Sequence, residues 1–179
     1  MNKFITVPTA DDIRAIASEI AYGKPLIENS YRGLIVEIII GEALGSEWRL
    51  CSADWSGWDF EHRSGCRLEV KQSAARQIWE ALRKPSPPSF DIRERTGYYD
   101  SATWTPHAGR LAHSYVFAYH PVGDDSADHR DPSQWQFYVL PASRLPANKR
   151  ISLSKLVLLT SAGPWSHLRV SVEQARRAL

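Results

Sequence analysis

The chain holds only two cysteines, Cys51 and Cys66. One disulfide is the most they can form, and no second Cys or paired His follows either at two to five residues, so zinc-ligand spacing is absent. The reducing cytosol is the expected compartment. Long apolar runs are lacking as well. The richest stretch, Leu34 to Gly41, is interrupted by Glu37 and falls far short of the ~20 residues a bilayer-crossing helix needs. The first eight residues, Met1 to Pro8, have no long apolar core of the secretory kind. A Gly-rich phosphate loop, a nucleophile elbow and a His-Glu-x-x-His motif are all missing, as are internal repeats and interdomain linkers. Charge of one sign is scarce too: 22 Lys and Arg stand against 20 Asp and Glu, a net charge of +2.

What is present is a globular composition, 43% hydrophobic and 23% charged over 179 residues. That size and balance fit one domain spanning 1–179. Locally the charge is less even. Between Arg63 and Arg95 eight basic residues meet four acids, a weak footprint of a polyanionic partner.

The pattern predicts a mixed α/β fold. A first helix opens at Thr9-Ala10-Asp11-Asp12, with Thr9 as cap, shows an apolar stripe of Ile13, Ile16, Ala17 and Ile20, and ends at Gly23-Lys24-Pro25. A second helix, Asn29 to Leu44, stops at Gly45. It is apolar almost all round and is expected to be largely buried. Strands are predicted at Trp48–Ser52, Gly57–His62, Gly65–Gln72, Phe90–Ile92, Ser114–Tyr119 and Trp135–Leu140. Further helices are predicted at Ala74–Leu82, Leu153–Leu159 and Val172–Ala178, with the turn-rich Lys84 to Ser89 a connector. The segment Thr96 to Arg110 reads as a long irregular loop, and Gly123 to Ser133, with its four Asp, as an exposed connection.

The chemistry concentrates in Gly57 to Lys71, a hairpin whose register follows from burial. A two-residue turn at Ser64-Gly65 would mix polar and apolar side chains on each face. A three-residue loop, Arg63-Ser64-Gly65, supplies Gly where the left-handed residue is needed. It pairs Trp58 with Val70 and Phe60 with Leu68 on an apolar face, and Asp59 with Glu69 and Glu61 with Arg67 on a polar one. Asp59 and Glu69 are then expected ~5 Å apart, with Lys71 pointing the same way. Opposed carboxylates repel unless a cation neutralises them, and one or two carboxylates completed by water and phosphate oxygens suit Mg²⁺. Glu37 sits in the apolar helix with Gly33 and Gly41 four residues to either side, a column where another backbone can approach. A buried carboxylate there needs a partner.

Asp59, nine residues, then Glu69-Val70-Lys71, preceded by a helix bearing Glu37, resembles the PD-(D/E)XK nuclease superfamily. The resemblance covers Ser30 to Gln77. It implies a restriction endonuclease-like core, a central mixed β-sheet flanked by helices. It further implies that Asp59, Glu69 and Glu37 bind Mg²⁺ or Mn²⁺ and that Lys71 is the active-site lysine. Trp58, not Pro, precedes Asp59, and no Gln-x-x-x-Tyr follows the lysine, which leaves Gln72 and Gln77 as site neighbours only. The expected function is metal-dependent hydrolysis of DNA phosphodiester bonds, with a homodimer suited to double-strand cleavage. RNA is a further substrate for the same chemistry. The competing reading is a non-catalytic nucleic-acid- or protein-binding module on the same fold.

Two other features invite function. Of six histidines, none paired at helix-face spacing, His107 is the best catalytic candidate. Tyr98, Tyr99 and Trp104, with Arg95 and Arg110 nearby, suit base stacking, whereas Trp48, Trp58, Trp135 and Trp165 read as core.

Overall fold

A computed structural model describes residues 7–51, 57–79, 87–100 and 103–179. Helix α1 spans Ala10–Tyr22, and Thr9 and Asp12 form the reciprocal cap that the sequence implies. Helix α2 spans Asn29–Leu44 and ends at Gly45, whose φ is 75°. Strands β1 (Trp48–Leu50), β2 (Phe60–His62) and β3 (Arg67–Ala74) form an antiparallel meander. Strand β7 (Ser114–His120) then pairs parallel with β3, and β8 (Gln136–Pro141) closes the sheet antiparallel to β7. The five-stranded mixed order is β1-β2-β3-β7-β8. Two smaller pairs, β4 (Ser89–Asp91) with β9 (Arg150–Ser152) and β5 (Arg95–Asp100) with β6 (Thr103–Gly109), stand outside it. Short α3 (Leu153–Leu156) follows β9, and α4 (Trp165–Arg177) ends the chain.

Alternation along β3 and β7 divides the interior in two. Leu68, Val70, Val116 and Ala118 turn toward α2 and α4, where Val36, Ile40, Leu168 and Val172 cover them. Tyr115 and Phe117 turn the other way, onto Phe90, Ile151 and Leu156 from β4, β9 and α3. Each such aliphatic side chain contributes roughly 1.5–3 kcal/mol on full burial. Glu69 pairs with Tyr115 and Lys71 with Phe117 in the parallel ladder, so both belong to this second face.

Several expectations are corrected. The stripe on α1 exists, yet none of its residues is buried. Helix α2 is covered on one side only, with Leu34 and Ile38 exposed on the other. No helix begins at Ala74: β3 runs through it, the Ala75 amide continues onto the His120 carbonyl at 2.8 Å, and 75–79 is a non-helical turn. The rest of that prediction, the end of the Trp48–Ser52 strand, and the first half of the Lys84–Ser89 connector lie outside the described residues. The expected loop Thr96–Arg110 is the β5–β6 hairpin. Pro106 masks its pattern and is tolerated because β6 has a partner on one edge alone. The Asp-rich connection is a strap rather than a free loop: Ala127 and His129 are buried, and Asp124, Asp128 and Asp131 each accept the amide two residues on. Helix α4 starts at Trp165, directly after Pro164, and its indole donates to the Ile39 carbonyl at 2.7 Å. Neither cysteine is disulfide-bonded, and no described helix is long and apolar enough to cross a membrane.

Candidate active site

The three-residue loop forms as predicted, with Gly65 at φ 83°, and it sets the pairs Glu61 with Arg67 and Phe60 with Leu68. The next two expected pairs do not form. The Asp59 amide donates to the Leu68 carbonyl at 3.0 Å, although Leu68 already faces Phe60. Two residues of one strand thus meet one of the other, as in a bulge, and the alternation of the incoming strand inverts. Trp58 therefore leaves the Val70 face. Its indole lies under the Arg67 guanidinium, 3.9 Å from the ring centre, and against Tyr98.

The bulge also sets the direction of the Asp59 carboxylate. The Val70 amide, freed of a ladder partner, donates to Asp59 Oδ2 at 2.6 Å. Asp59 is thus fixed at the point where β2 parts from β3, beside Glu69 rather than squarely across from it. Burial, and then the Glu69 charge, push the Asp59 carboxyl up to about 7, against the opposing pull of the Val70 amide and Lys71; Glu37 adds a smaller upward push. A carboxylate poised near neutrality by burial and a neighbouring acid is a candidate for a functional site. The other three residues singled out from the sequence, Glu69, Lys71 and Glu37, all act on the Asp59 charge, Glu37 least.

Glu69 is 3% exposed. Lys71 Nζ donates to its Oε1, and Arg95 Nη2 donates to the same oxygen at 3.2 Å. The bond from Arg95 to Glu69 is not legible from its place just before the predicted loop, because only the folding back of β5 brings it to β3. Around Glu69 and Lys71 lies a cavity of about 270 Å³, also lined by Arg93, Arg95, Arg110 and Tyr115. Burial and the Glu69 charge push the Tyr115 phenol up to about 12, so it stays a neutral hydroxyl. A larger cavity of about 630 Å³ lies between α1, the start of α2 and the strap. Its floor is largely apolar and its Arg76 is engaged by Asp125 at 2.6 Å, so it offers no comparable chemistry.

Glu37 is half-buried on α2. The glycine column expected around it is not a backbone contact: a Cβ at Gly33 would meet nothing within 4 Å, and one at Gly41 would meet the Phe60 ring at 3.5 Å. Among the described residues no three His, Cys, Asp or Glu side chains are grouped closely enough to hold a metal ion. Two hard oxygen donors, Asp59 and Glu69, nevertheless lie side by side, and such a pair fits Mg²⁺ when water and phosphate complete the shell. His107 stands exposed on β6 and takes no part in this cluster.

No family model matches the chain, and no curated protein is similar to it at a significant level.

Proposed function

We propose that this protein is a metal-dependent hydrolase of phosphodiester bonds, acting on DNA, with a restriction endonuclease-like core. The observation that carries this reading is the placing of Asp59 beside Glu69 where β2 leaves β3, with Lys71 on the Glu69 carboxylate and Asp59 held near neutrality by burial and by Glu69. The meander followed by a parallel strand, with α2 across one face, supports this reading. Asp59 and Glu69 would hold Mg²⁺ or Mn²⁺, with water and phosphate oxygens completing its shell. The ion would supply neutralisation of the charge that builds on the phosphoryl oxygens. Lys71 orients the attacking water and offers its ammonium to the same developing charge. Arg95 holds the Glu69 carboxylate at the cavity, and the Val70 amide holds Asp59 beside it.

Cleavage of plasmid and oligonucleotide DNA with Mg²⁺ or Mn²⁺, set beside Lys71→Ala and Asp59→Asn, tests it. Each variant is expected to lose at least about a hundredfold in rate. Equal cleavage by wild type and both variants overturns the assignment. One observation favours a non-catalytic binding module instead: Glu69 already has two cationic partners, Lys71 and Arg95, so the cluster is self-neutralised in part. A rise in Tm with millimolar Mg²⁺, lost in Asp59→Asn, separates the two, since an ion that prefers the native state must stabilise it.

A further inference from the structure

The β5–β6 hairpin is the least explained part of the molecule. It pairs with neither the main sheet nor β4–β9, and an isolated two-stranded ribbon is marginal in water. It is anchored at one end only, by Tyr98 against Trp58, ring centres 5.7 Å apart, and by the close fit of Gly57 under Tyr98 and Leu111. Farther out, the cross-strand pair Tyr99 and Trp104 packs edge to face with centres 5.2 Å apart, yet the two stay 43% and 45% exposed. Their arrangement is built rather than incidental. Gly97 lies beneath Trp104, and a Cβ there would stand 2.5 Å from the indole and from the Thr105 carbonyl. Glycine lets the indole lie flat across the strand, so an aromatic platform is held in place while one surface is kept open. A core needs no such surface; a ligand with a π-face does.

Position names the ligand. Arg95 opens β5 and bonds Glu69, so the same strand runs from the acidic cluster to the platform. Four residues separate Arg95 from Tyr99, about 13 Å of extended chain. At the near end the 270 Å³ cavity presents Lys71, Arg93, Arg95 and Arg110 against Glu69, Asp91 and Glu94. The Arg110 guanidinium bonds only to carbonyls in the contacts seen, those of Ile92 and Pro146, which leave its charge uncompensated. Cations at one end and an open, fixed aromatic pair at the other match a chain that alternates phosphates with exposed bases.

We propose that the hairpin is an arm for single-stranded polynucleotide, stacking an unpaired base on Trp104 and Tyr99 while the adjoining phosphate lies among Arg93, Arg95 and Arg110. This deepens the hydrolase reading, on which it rests for the position of the phosphate, by naming the substrate as a strand with unpaired bases. Paired bases are already stacked on their neighbours and have no face to offer.

The test is fluorescence anisotropy with labelled single-stranded DNA, single-stranded RNA and blunt duplex DNA. The full chain is used in chelator, where no cleavage can occur. Single strands are expected to bind more tightly than duplex. Trp104→Ala should weaken single-strand binding about tenfold to hundredfold, Tyr99→Ala should weaken it less, and Trp104→Phe should restore most of the loss. Either sugar supports the arm, and the tighter of the two single strands identifies the nucleic acid. Unchanged single-strand affinity in Trp104→Ala, duplex bound as tightly as single strand, or no binding of any strand overturns it. The hydrolase reading fails separately: a chain that binds single strands through Trp104 but never cuts them retains the arm and loses the nuclease, whereas cutting with Trp104→Ala at wild-type affinity does the reverse.

Discussion

Two polar clusters lie against β3, and they contrast in how their charges are met. On one face Arg32, 1% exposed, donates to Gln72 Oε1 at 2.7 Å, Gln77 Oε1 at 2.9 Å and Asn29 Oδ1 at 2.8 Å. Every acceptor is a neutral amide oxygen, and each is itself tethered: Gln72 to Asn29, Gln77 to the Ala74 carbonyl. His120 and His129, both fully buried, stand T-shaped beside Trp135 with ring centres 4.9 Å apart. This knot places a single charge among dipoles already arranged to solvate it. On the other face Asp59 and Glu69 crowd two negative charges together, and Lys71 and Arg95 both turn to the same Glu69 oxygen. The Arg32 guanidinium meets only neutral acceptors, whereas the second cluster holds two acids whose like charges oppose each other; on the proposed reading that opposition is relieved by a bound cation.

The sharpest way to break this contrast is Arg32→Ala. Removing the guanidinium strands the Gln72 and Gln77 amide oxygens, takes one of two donors from Asn29 Oδ1 and leaves a cavity at the start of α2, for an expected loss of about 3–5 kcal/mol in urea denaturation. Below its melting temperature the variant should still cut at a rate closer to wild type than to Lys71→Ala. A loss under about 1 kcal/mol would mean that the knot is not structural.

The strap offers a second, pH-dependent test. His129 Nδ1 accepts the Ile27 amide at 3.0 Å, its own amide donates to the Pro25 carbonyl, and Trp135 Nε1 donates to its carbonyl. Burial, then the Arg32 and His120 charges, push its imidazole down to about 4. The unfolded chain binds this proton near pH 6.5 and the native one only near 4, so stability present above 6.5 drains away as pH falls to 4. The contribution is about 3 kcal/mol at most. Denaturation midpoints between pH 4 and 7 check it: His129→Asn, whose amide oxygen can still accept the Ile27 amide, should flatten the acid limb.

Asp59 should behave in the opposite sense. Its native value, about 7, lies above the ordinary 3.8, so the native protein holds the proton more tightly than the unfolded chain. Stability is then full below pH 4 and falls as pH rises through 7. Asp59→Asn, measured in metal-free buffer, should therefore be more stable than wild type at pH 8, on the order of 2 kcal/mol, with the gain gone by pH 4. A variant that gains stability as it loses cleavage is what a frustrated site requires. One that loses stability at pH 8 would move Asp59 into the class of Arg32.

How much of this was legible depended on whether the cause was local. The bounds of α2, the Thr9–Asp12 cap and the Arg63-Ser64-Gly65 loop came through because periodicity, capping and a glycine at positive φ act over a few residues. Those signals brought Asp59, Glu69 and Lys71 to one corner of the sheet. The bulge at Asp59 was not legible: nothing in the alternation of Trp58 to His62 announces that a side-chain carboxylate will take the Val70 amide. Arg95 and the Arg32 knot were missed for a related reason. Their partners lie 26 and 40 or more residues away, and neither Gln72 nor Gln77 carries a sequence signal for an arginine. The β5–β6 hairpin was read as a loop because Gly97 and Pro106, which weaken a strand pattern, are the residues that seat Trp104 and tolerate an unpaired edge.

Helix α2 joins the two clusters, since Arg32 and Glu37 are five residues apart, about 7.5 Å along the axis. Gly33 lies between them and has open space where a side chain would stand. Glycine inside a helix forfeits roughly 0.5–1 kcal/mol relative to alanine, chiefly through the freedom of the unfolded chain. Gly33→Ala is therefore expected to raise stability by about that amount in urea, the smallest effect considered and opposite in sign to Arg32→Ala. It touches neither cluster's partners, so its cleavage rate should match wild type. If that rate instead drops while stability rises, the open ground at Gly33, one helical turn before Glu37, is where substrate passes, and α2 belongs to the binding surface as well as to the scaffold.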